Sequence, residues 1–240
     1  MLRHISGAYS TLRFTAITRI KASLMLDRLR RRLGLLQERE RPDSAPPLGG
    51  LLTRIRGLEP GDIAIDCGAN VGLVTQAMAD SGATVHAFEP NPSAFSVLRQ
   101  KMADRPNVTL HNAAVSTHDG TVRLYRHESA HEDPVHWSVG SSVIEDKVNV
   151  DRESYDDVQA IDLDRFLGDL GRPVALMKMD IEGAEVAVLG KLIQSGRIRG
   201  IGTVLVETHE AKIPSLREPT AELRGWIERE GLDNVKLDWI

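Results

Sequence analysis

A chain of 240 residues with 41% hydrophobic side chains is long enough to bury a full core, and its pattern reads as one catalytic domain behind a short extension. A single cysteine, Cys67, excludes an intrachain disulfide and any zinc site built on several thiolates; with no run near the roughly 18 apolar residues of a membrane span and no secretory leader pattern, a soluble, cytoplasmic protein is expected. The net charge of −4 is uneven: residues 1–41 carry nine Arg and one Lys against Asp27, Glu38 and Glu40, which makes that arm +7 and the remainder −11, and an acidic body argues against a duplex-binding enzyme.

Residues 11–36 place Leu12, Ile17, Ile20, Leu24, Leu29, Leu33 and Leu36 among arginines at loosely helical spacing, which predicts one or two helices. The run Arg28, Arg30, Arg31, Arg32 suits a solvated helix face, with contact to a membrane surface or a partner as the functional alternative. Pro42, Pro46, Pro47 and the Gly49-Gly50 pair read as a linker, so residues 1–47 form a basic helical extension and residues 48–240 the catalytic domain.

From there strands and helices alternate. Ile63 to Cys67 is the first strand, Val71 to Ala79 a helix, Thr84 to Phe88 the second strand, Ser93 to Met102 a helix with Phe95, Leu98 and Met102 on one face, and Val108 to Leu110 the third strand. Asp119-Gly120 predicts a tight hairpin turn joining Ala113-Ala114-Val115 to Val122-Arg123-Leu124-Tyr125. A short helix starts at Asp162 or Asp164; Val174 to Met179 and Thr203 to Val206 are the fourth and fifth strands around a helix lined by Val186, Leu189 and Ile193. Leu223, Trp226 and Ile227 mark a helix stopped by Gly231, and Val235, Leu237 and Trp239 alternate as a sixth strand. The fold class that follows is α/β, a Rossmann-like doubly wound and mainly parallel sheet with helices on both faces.

In such sheets a ligand lies beyond the carboxyl ends of the strands. The first strand ends in Asp66-Cys67-Gly68-Ala69-Asn70-Val71-Gly72, where Gly68 permits a tight turn and close backbone approach, Gly72 lets the next helix pack closely, and Asp66 is placed to meet a cationic group such as an amino acid's ammonium. The Gly-x-x-x-Gly spacing differs from the Gly-x-Gly-x-x-Gly that cradles a pyrophosphate, which favours a cofactor without phosphates over a nicotinamide-dependent oxidoreductase. Glu89 closes the second strand, 23 residues after Asp66, where an acid accepts hydrogen bonds from two ribose hydroxyls; capping a helix is its plainer role. Cys67 reads as a small buried strand residue rather than a nucleophile.

Taken with Phe88-Glu89-Pro90-Asn91-Pro92, Ala114-Val115, Gly140-Ser141-Ser142, Leu163-Asp164, Lys178-Met179-Asp180-Ile181-Glu182-Gly183-Ala184-Glu185 and Val206-Glu207-Thr208-His209, the glycine loop resembles the FkbM-type methyltransferases, within the Rossmann-like class I group, over roughly residues 48 to 235. The resemblance implies S-adenosyl-L-methionine as cofactor and methyl transfer, usually to oxygen, on a natural-product or sugar acceptor. It also implies that Asp66, Gly68, Asn70 and Glu89 hold the methionine and ribose parts while the turn near Asn112 borders the adenine. Family domains finish with a seventh strand antiparallel to the sixth, which is expected to be missing or supplied otherwise, since the sequence stops at Ile240.

Methyl transfer to a hydroxyl needs alignment and a proton acceptor, or a metal. Asp180 ends the fourth strand with Glu182 and Glu185 just beyond, and Glu207 and His209 end the fifth, so these residues face the cleft and supply the catalytic candidates. His209 is a candidate base; Glu185 is expected to stabilise the first turn of its helix instead. Asp180, Glu207 and His209 form an alternative hard site for magnesium, not preferred over a metal-free mechanism, and the stretch from His127 to His136 has no recognisable ligand spacing. A non-catalytic binding module on the same fold is the remaining alternative.

Overall fold

The computed structural model describes residues 48–237 apart from His136, Val139, Gly140, Asp146, Val148 and Asn149, with Leu48 and Gly49 as backbone only. The helices expected over residues 11–36, the prolines of the linker, and Trp239 of the last strand lie outside the described residues. The chain runs through α1 (Leu48–Arg56), β1 (Ile63–Cys67), α2 (Leu73–Asp80), β2 (Thr84–Phe88), α3 (Pro92–Lys101) and β3 (Val108–His111). It then builds β4 (Ala114–Ser116), β5 (Gly120–His127) and β6 (Val150–Asp162), and returns through α4 (Leu163–Leu170), β7 (Val174–Met179), α5 (Glu185–Gln194), β8 (Ile201–Val206), α6 (Arg217–Arg229) and β9 (Val235–Lys236).

The main sheet has the order β3-β2-β1-β7-β8-β9 with every pair parallel, which is the expected doubly wound Rossmann-like architecture. β1 is buried along its whole length because both sheet faces are covered, and this is why it reads as an unbroken apolar run rather than as an alternation. Its Ile63, Ile65 and Cys67 enter one core with Met177, Met179, Leu189 and Val204, while Ala64 enters the opposite core with Met78, Val85 and Leu205. Burial, reinforced by the Asp66 charge, pushes the Cys67 thiol far up, so it stays protonated and packs as a small hydrophobe.

Strand order reverses between β1 and β7, and the register there sets the site. Phe88 and Met179 both pair with Cys67, His111 pairs with Phe88, and Val206 pairs with Met179. The first residues past the strand ends therefore form one row, Asn112, Glu89, Gly68, Asp180 and Glu207, which spans about 19 Å at the usual 4.8 Å between strands. This is the crevice position of open α/β sheets.

Two local expectations are corrected. The Gly49-Gly50 pair falls in the first turn of α1 instead of a linker: Leu51 and Ile55, one turn apart, are buried against the Met78 and Val85 core. Their burial, about 1.5 to 3 kcal/mol each, outweighs roughly 1 kcal/mol per helical glycine. The predicted hairpin does not form either. β4 and β5 do not pair with each other, because β6 lies between them, parallel to β4 and antiparallel to β5. β6 brings Val158 into a small core with Ala114 and Leu124, which a direct β4–β5 pairing would leave open. The thirteen residues of β6 are mostly charged or polar, so no hydrophobic run announces them.

Candidate active site

The loop after β1 is shaped by contacts with β7. Gly68 has φ +79°, and a Cβ placed there would lie 1.8 Å from the carbonyl oxygen of Asp180, so this glycine is demanded first by the approach of the neighbouring strand end. Gly72, at φ +86°, leads into α2, and a Cβ there would lie 2.6 Å from Leu98 Cδ1, so it clears α3 rather than the strand. Asn70 between them is left-handed as well, at φ 49°, a conformation asparagine tolerates. Its side-chain amide donates to Ser138 Oγ at 2.9 Å, which ties the loop to the segment between β5 and β6.

Glu89 is buried, and each of its oxygens accepts one backbone N–H: Oε2 from Asn70 at 2.7 Å and Oε1 from Asn91 at 2.8 Å. Burial raises its pKa from the carboxylate range to about 7, against the lowering effect of those two hydrogen bonds. Asn91, and not Glu89, caps α3 by accepting from Ser93 and Ala94, so the plainer role open to Glu89 is taken by its neighbour. Asn112 Nδ2 donates to the carbonyl of Glu89 at 2.9 Å and holds the turn in which Glu89 sits.

Asp66 was expected to meet the cationic end of a ligand. The cation facing it is the protein's own Lys178, its register partner on β7, at 3.3 Å from Oδ1, while Oδ2 accepts from Thr75 Oγ1 at 2.7 Å. Lys178 also donates to the carbonyl of Gly68 at 2.6 Å and lies 3.7 Å from Asp180 Oδ2. Burial alone would lower the Lys178 pKa; Asp66 and Asp180 outweigh it and hold the ammonium well above its usual value. A lysine and an aspartate on adjacent buried strands sustain each other there, since neither survives burial without an opposite charge.

Beyond β7 and β8 the acids gather around His209, whose side chain is fully buried. Nδ1 lies 2.9 Å from Glu185 Oε1; Nε2 lies 3.2 Å from Glu182 Oε2, 3.6 Å from Asp180 Oδ1 and 3.9 Å from Glu207 Oε1. Glu185 also accepts the backbone N–H of Ile181 and Gly183, so it braces the turn before α5, the structural duty expected of it, and orients the imidazole besides. Glu182 is left-handed at φ 57°; Lys147 Nζ donates to its carboxylate at 2.6 Å and Ser142 Oγ to its carbonyl at 2.6 Å. Such backbone strain at a residue with a long side chain persists only where the surroundings over-determine it. Burial acts against both charges, yet His209 and Lys147 hold the Glu182 carboxyl well below its usual range, and Glu182 and Glu185 hold the His209 imidazole well above its own. The upward shift favours the protonated imidazole, which weakens its candidacy as a base.

The catalytic candidates Asp180, Glu182, Glu207 and His209 are thus brought together, and the cofactor candidates Gly68, Asn70, Gly72, Glu89 and Asn112 line the neighbouring strand ends. Among the described residues, Asp180, Glu182 and His209 are the group whose ligand atoms fall within 4.8 Å of one another, so Glu182 takes the place expected of Glu207 in a metal set. Sequence reasoning missed Thr75, Ser138 and Lys147. The last two come from the segment between β5 and β6, whose polar sequence carries no spacing that points to the cleft.

Comparison with known proteins finds one family and several partial likenesses. The model described as "Methyltransferase FkbM domain" matches residues 66–232. A curated relative, the ribosomal RNA small subunit methyltransferase A of Thermotoga petrophila, is 41% identical over 54 residues, 22% of this chain and 21% of that protein. Another, the 31-O-demethyl-FK506 methyltransferase FkbM of Streptomyces tacrolimicus, is 39% identical over 70 residues, 28% of this chain and 27% of that protein. The chain thus spans about a quarter of the length of the curated relatives it matches. Among solved structures, an rRNA methylase from Streptococcus thermophilus is similar at 19% identity and a TM-score of 0.27, covering 30% of this chain and 42% of that one.

Proposed function

Because the chain belongs to the FkbM methyltransferase domain family, we propose that it transfers the methyl group of S-adenosyl-L-methionine to a hydroxyl of a small-molecule natural product or a glycan. One observation carries the reading: Glu89, buried at the switch point of the sheet, has both oxygens anchored by backbone N–H groups and keeps lone pairs for the two hydroxyls of a ribose. The loop beside it lacks the middle glycine of a pyrophosphate cradle, which suits a cofactor without phosphates and disfavours a nicotinamide enzyme.

Glu89 would hold the ribose, the backbone of Gly68 to Asn70 the methionine end, and the turn of Asn112 the adenine border. The cofactor supplies an electrophilic methyl on a sulfonium. What remains for the protein is to align the acceptor oxygen and take its proton. Asp180 is the most exposed member of the acid cluster, its side chain 24% exposed against 19% for Glu182, 12% for Glu207 and none for His209, and we assign it to meet the acceptor hydroxyl. His209 and Glu207 act behind it: the charged imidazole positions Asp180 and Glu182 rather than serving as the base.

The name of the Streptomyces relative specifies an oxygen of FK506, which supports oxygen as the target and a small molecule as the acceptor class. The acidic balance of the chain beyond residue 41 works against a nucleic-acid acceptor. Extracts incubated with the enzyme and methyl-labelled cofactor, analysed by mass spectrometry, test the proposal. A labelled hydroxylated metabolite or glycan is expected; label confined to RNA or protein contradicts it.

A further inference from the structure

We propose that Ser141 and Ser142 are positioning residues that couple the Glu89 loop to the acid cluster, Ser141 acting through Asn91 and Ser142 through Glu182. In sequence the Gly140-Ser141-Ser142 motif belongs to neither half of the site, yet its two buried serines touch one half each. Ser141 Oγ accepts from Asn91 Nδ2 at 3.4 Å; Ser138 Oγ, one turn before it, accepts from Asn70 Nδ2 at 2.9 Å. Asn91 and Asn70 are the residues whose backbone N–H groups hold the two Glu89 oxygens. Both amides are oriented for the serines: Asn91 Oδ1 is taken up in capping α3 and Asn70 Oδ1 accepts the N–H of Val71 at 2.8 Å, which turns each NH2 group toward its hydroxyl.

The next residue faces the other way. Ser142 Oγ donates to the Glu182 carbonyl at 2.6 Å and accepts from the N–H of Ile144 at 3.0 Å. Its backbone exchanges two hydrogen bonds with Tyr125 of β5, at 2.8 and 3.0 Å, so the serine pair stands on the small sheet. Ile144 packs over the bare backbone of Gly183, 2.9 Å from where a Cβ would stand, and Lys147 Nζ meets Glu182 Oε2 at 2.6 Å. That same oxygen faces His209 Nε2 at 3.2 Å.

Two consecutive residues on one anchored backbone therefore hold the shells of two acids that lie on opposite sides of the strand reversal. A shift at Asn91 is passed to Ser141, to the peptide it shares with Ser142, and so to the strained Glu182 turn. What tightens Glu89 tightens that turn, and by linkage the reverse holds. In the role of preparing the acid cluster for an acceptor once the cofactor is in place, the coupling rests on the methyl-transfer reading; the coupling itself does not.

Hydrogen exchange of the full chain, read by mass spectrometry with and without S-adenosyl-L-methionine, tests it. Without cofactor, Ser141→Ala should speed exchange about three- to tenfold at residues 181–185 as well as at 89–91, and Ser142→Ala at 89–91 as well as at 181–185, the worth of one net hydrogen bond in a local opening. Exchange in α1, packed in the opposite core, should not change in either. Saturating cofactor should slow residues 181–185 in the wild type and in neither variant. Circular dichroism establishes folding, and should Ser142→Ala fail to fold, Ser141→Ala read at 181–185 decides alone. Effects confined to each serine's own side, or spread equally to α1, overturn the proposal: the first makes the serines two separate local contacts, the second a general loss of stability. Calorimetry on the same samples separates the two readings. Coupling without cofactor binding removes only methyl transfer, and cofactor binding with effects confined to one side removes only the coupling.

Discussion

Under the proposed function Glu89 is the side chain on which cofactor recognition turns, and its environment gives that recognition a pH dependence. Burial raises its folded pKa to about 7 from 4.5, so the folded protein binds more protons than the unfolded one between those values, and stability falls as pH rises across that window. Ribose hydroxyls donate to the ionised form, so cofactor affinity rises with pH through about 7, by at most about tenfold per unit. Calorimetry at pH 6 and pH 8 should show tighter binding at the higher value, and Glu89→Gln should flatten the profile while weakening affinity by roughly tenfold or more, the worth of a charge-assisted bond. Lys178 makes the opposite kind of contribution. Lys178→Met strands Asp66, fully buried, without its cation and should cost about 3 to 5 kcal/mol in denaturant unfolding, part of which Asp66→Asn added to it restores. A full additive loss in the double variant would mean the two do not act as a pair. At this scale the sequence was half legible: Glu89 and the acid cluster stood at strand ends where chemistry is expected, whereas the pairing of Asp66 with Lys178 depends on a strand register that crosses 112 positions of sequence.

The elements of the main sheet could be read because their signal is local. Buried parallel strands are short apolar runs bounded by turns, and α3 and α5 show their buried faces at helical spacing. β6 could not, because its pattern of exposed and half-buried positions fully buries only Val158 and Ala160, with Ile161 half-buried against the main core, and its placement between β4 and β5 depends on long-range pairing. Nuclear magnetic resonance tests that order: cross-strand contacts are expected from Ala160 to both Ala114 and Gly120, and direct contacts between Val115 and Leu124 would restore the hairpin. The β5–β6 segment is also where Ser138 and Lys147 enter the site, so its polar character reflects the cleft it borders. α1 teaches the same lesson from the other side. Leu51→Ala should cost about 2 to 5 kcal/mol, as a fully buried leucine does, although the Gly49-Gly50 pair beside it reads as a breaker.

For the whole molecule, strand order converts a one-dimensional list of strand ends into a single row of Asn112, Glu89, Gly68, Asp180 and Glu207. In the proposed function the cofactor half of the row lies on the β3-β2-β1 side and the acid cluster on the β7-β8 side, so Gly68 and Asp180, in contact at the reversal, would join binding to chemistry. Among the described residues no helix is long and apolar enough to cross a membrane. The fold class was legible because alternating strands and helices admit few topologies, and the acceptor was not, because the segments that would shape its pocket are polar loops without a periodic code. Calorimetric titration of the full chain with S-adenosyl-L-methionine tests the assignment of Glu89 and its loop most directly. One site per chain with micromolar affinity, lost or strongly weakened in folded Glu89→Gln, is the predicted result; no binding at high micromolar cofactor by folded protein, or binding indifferent to Glu89, contradicts it.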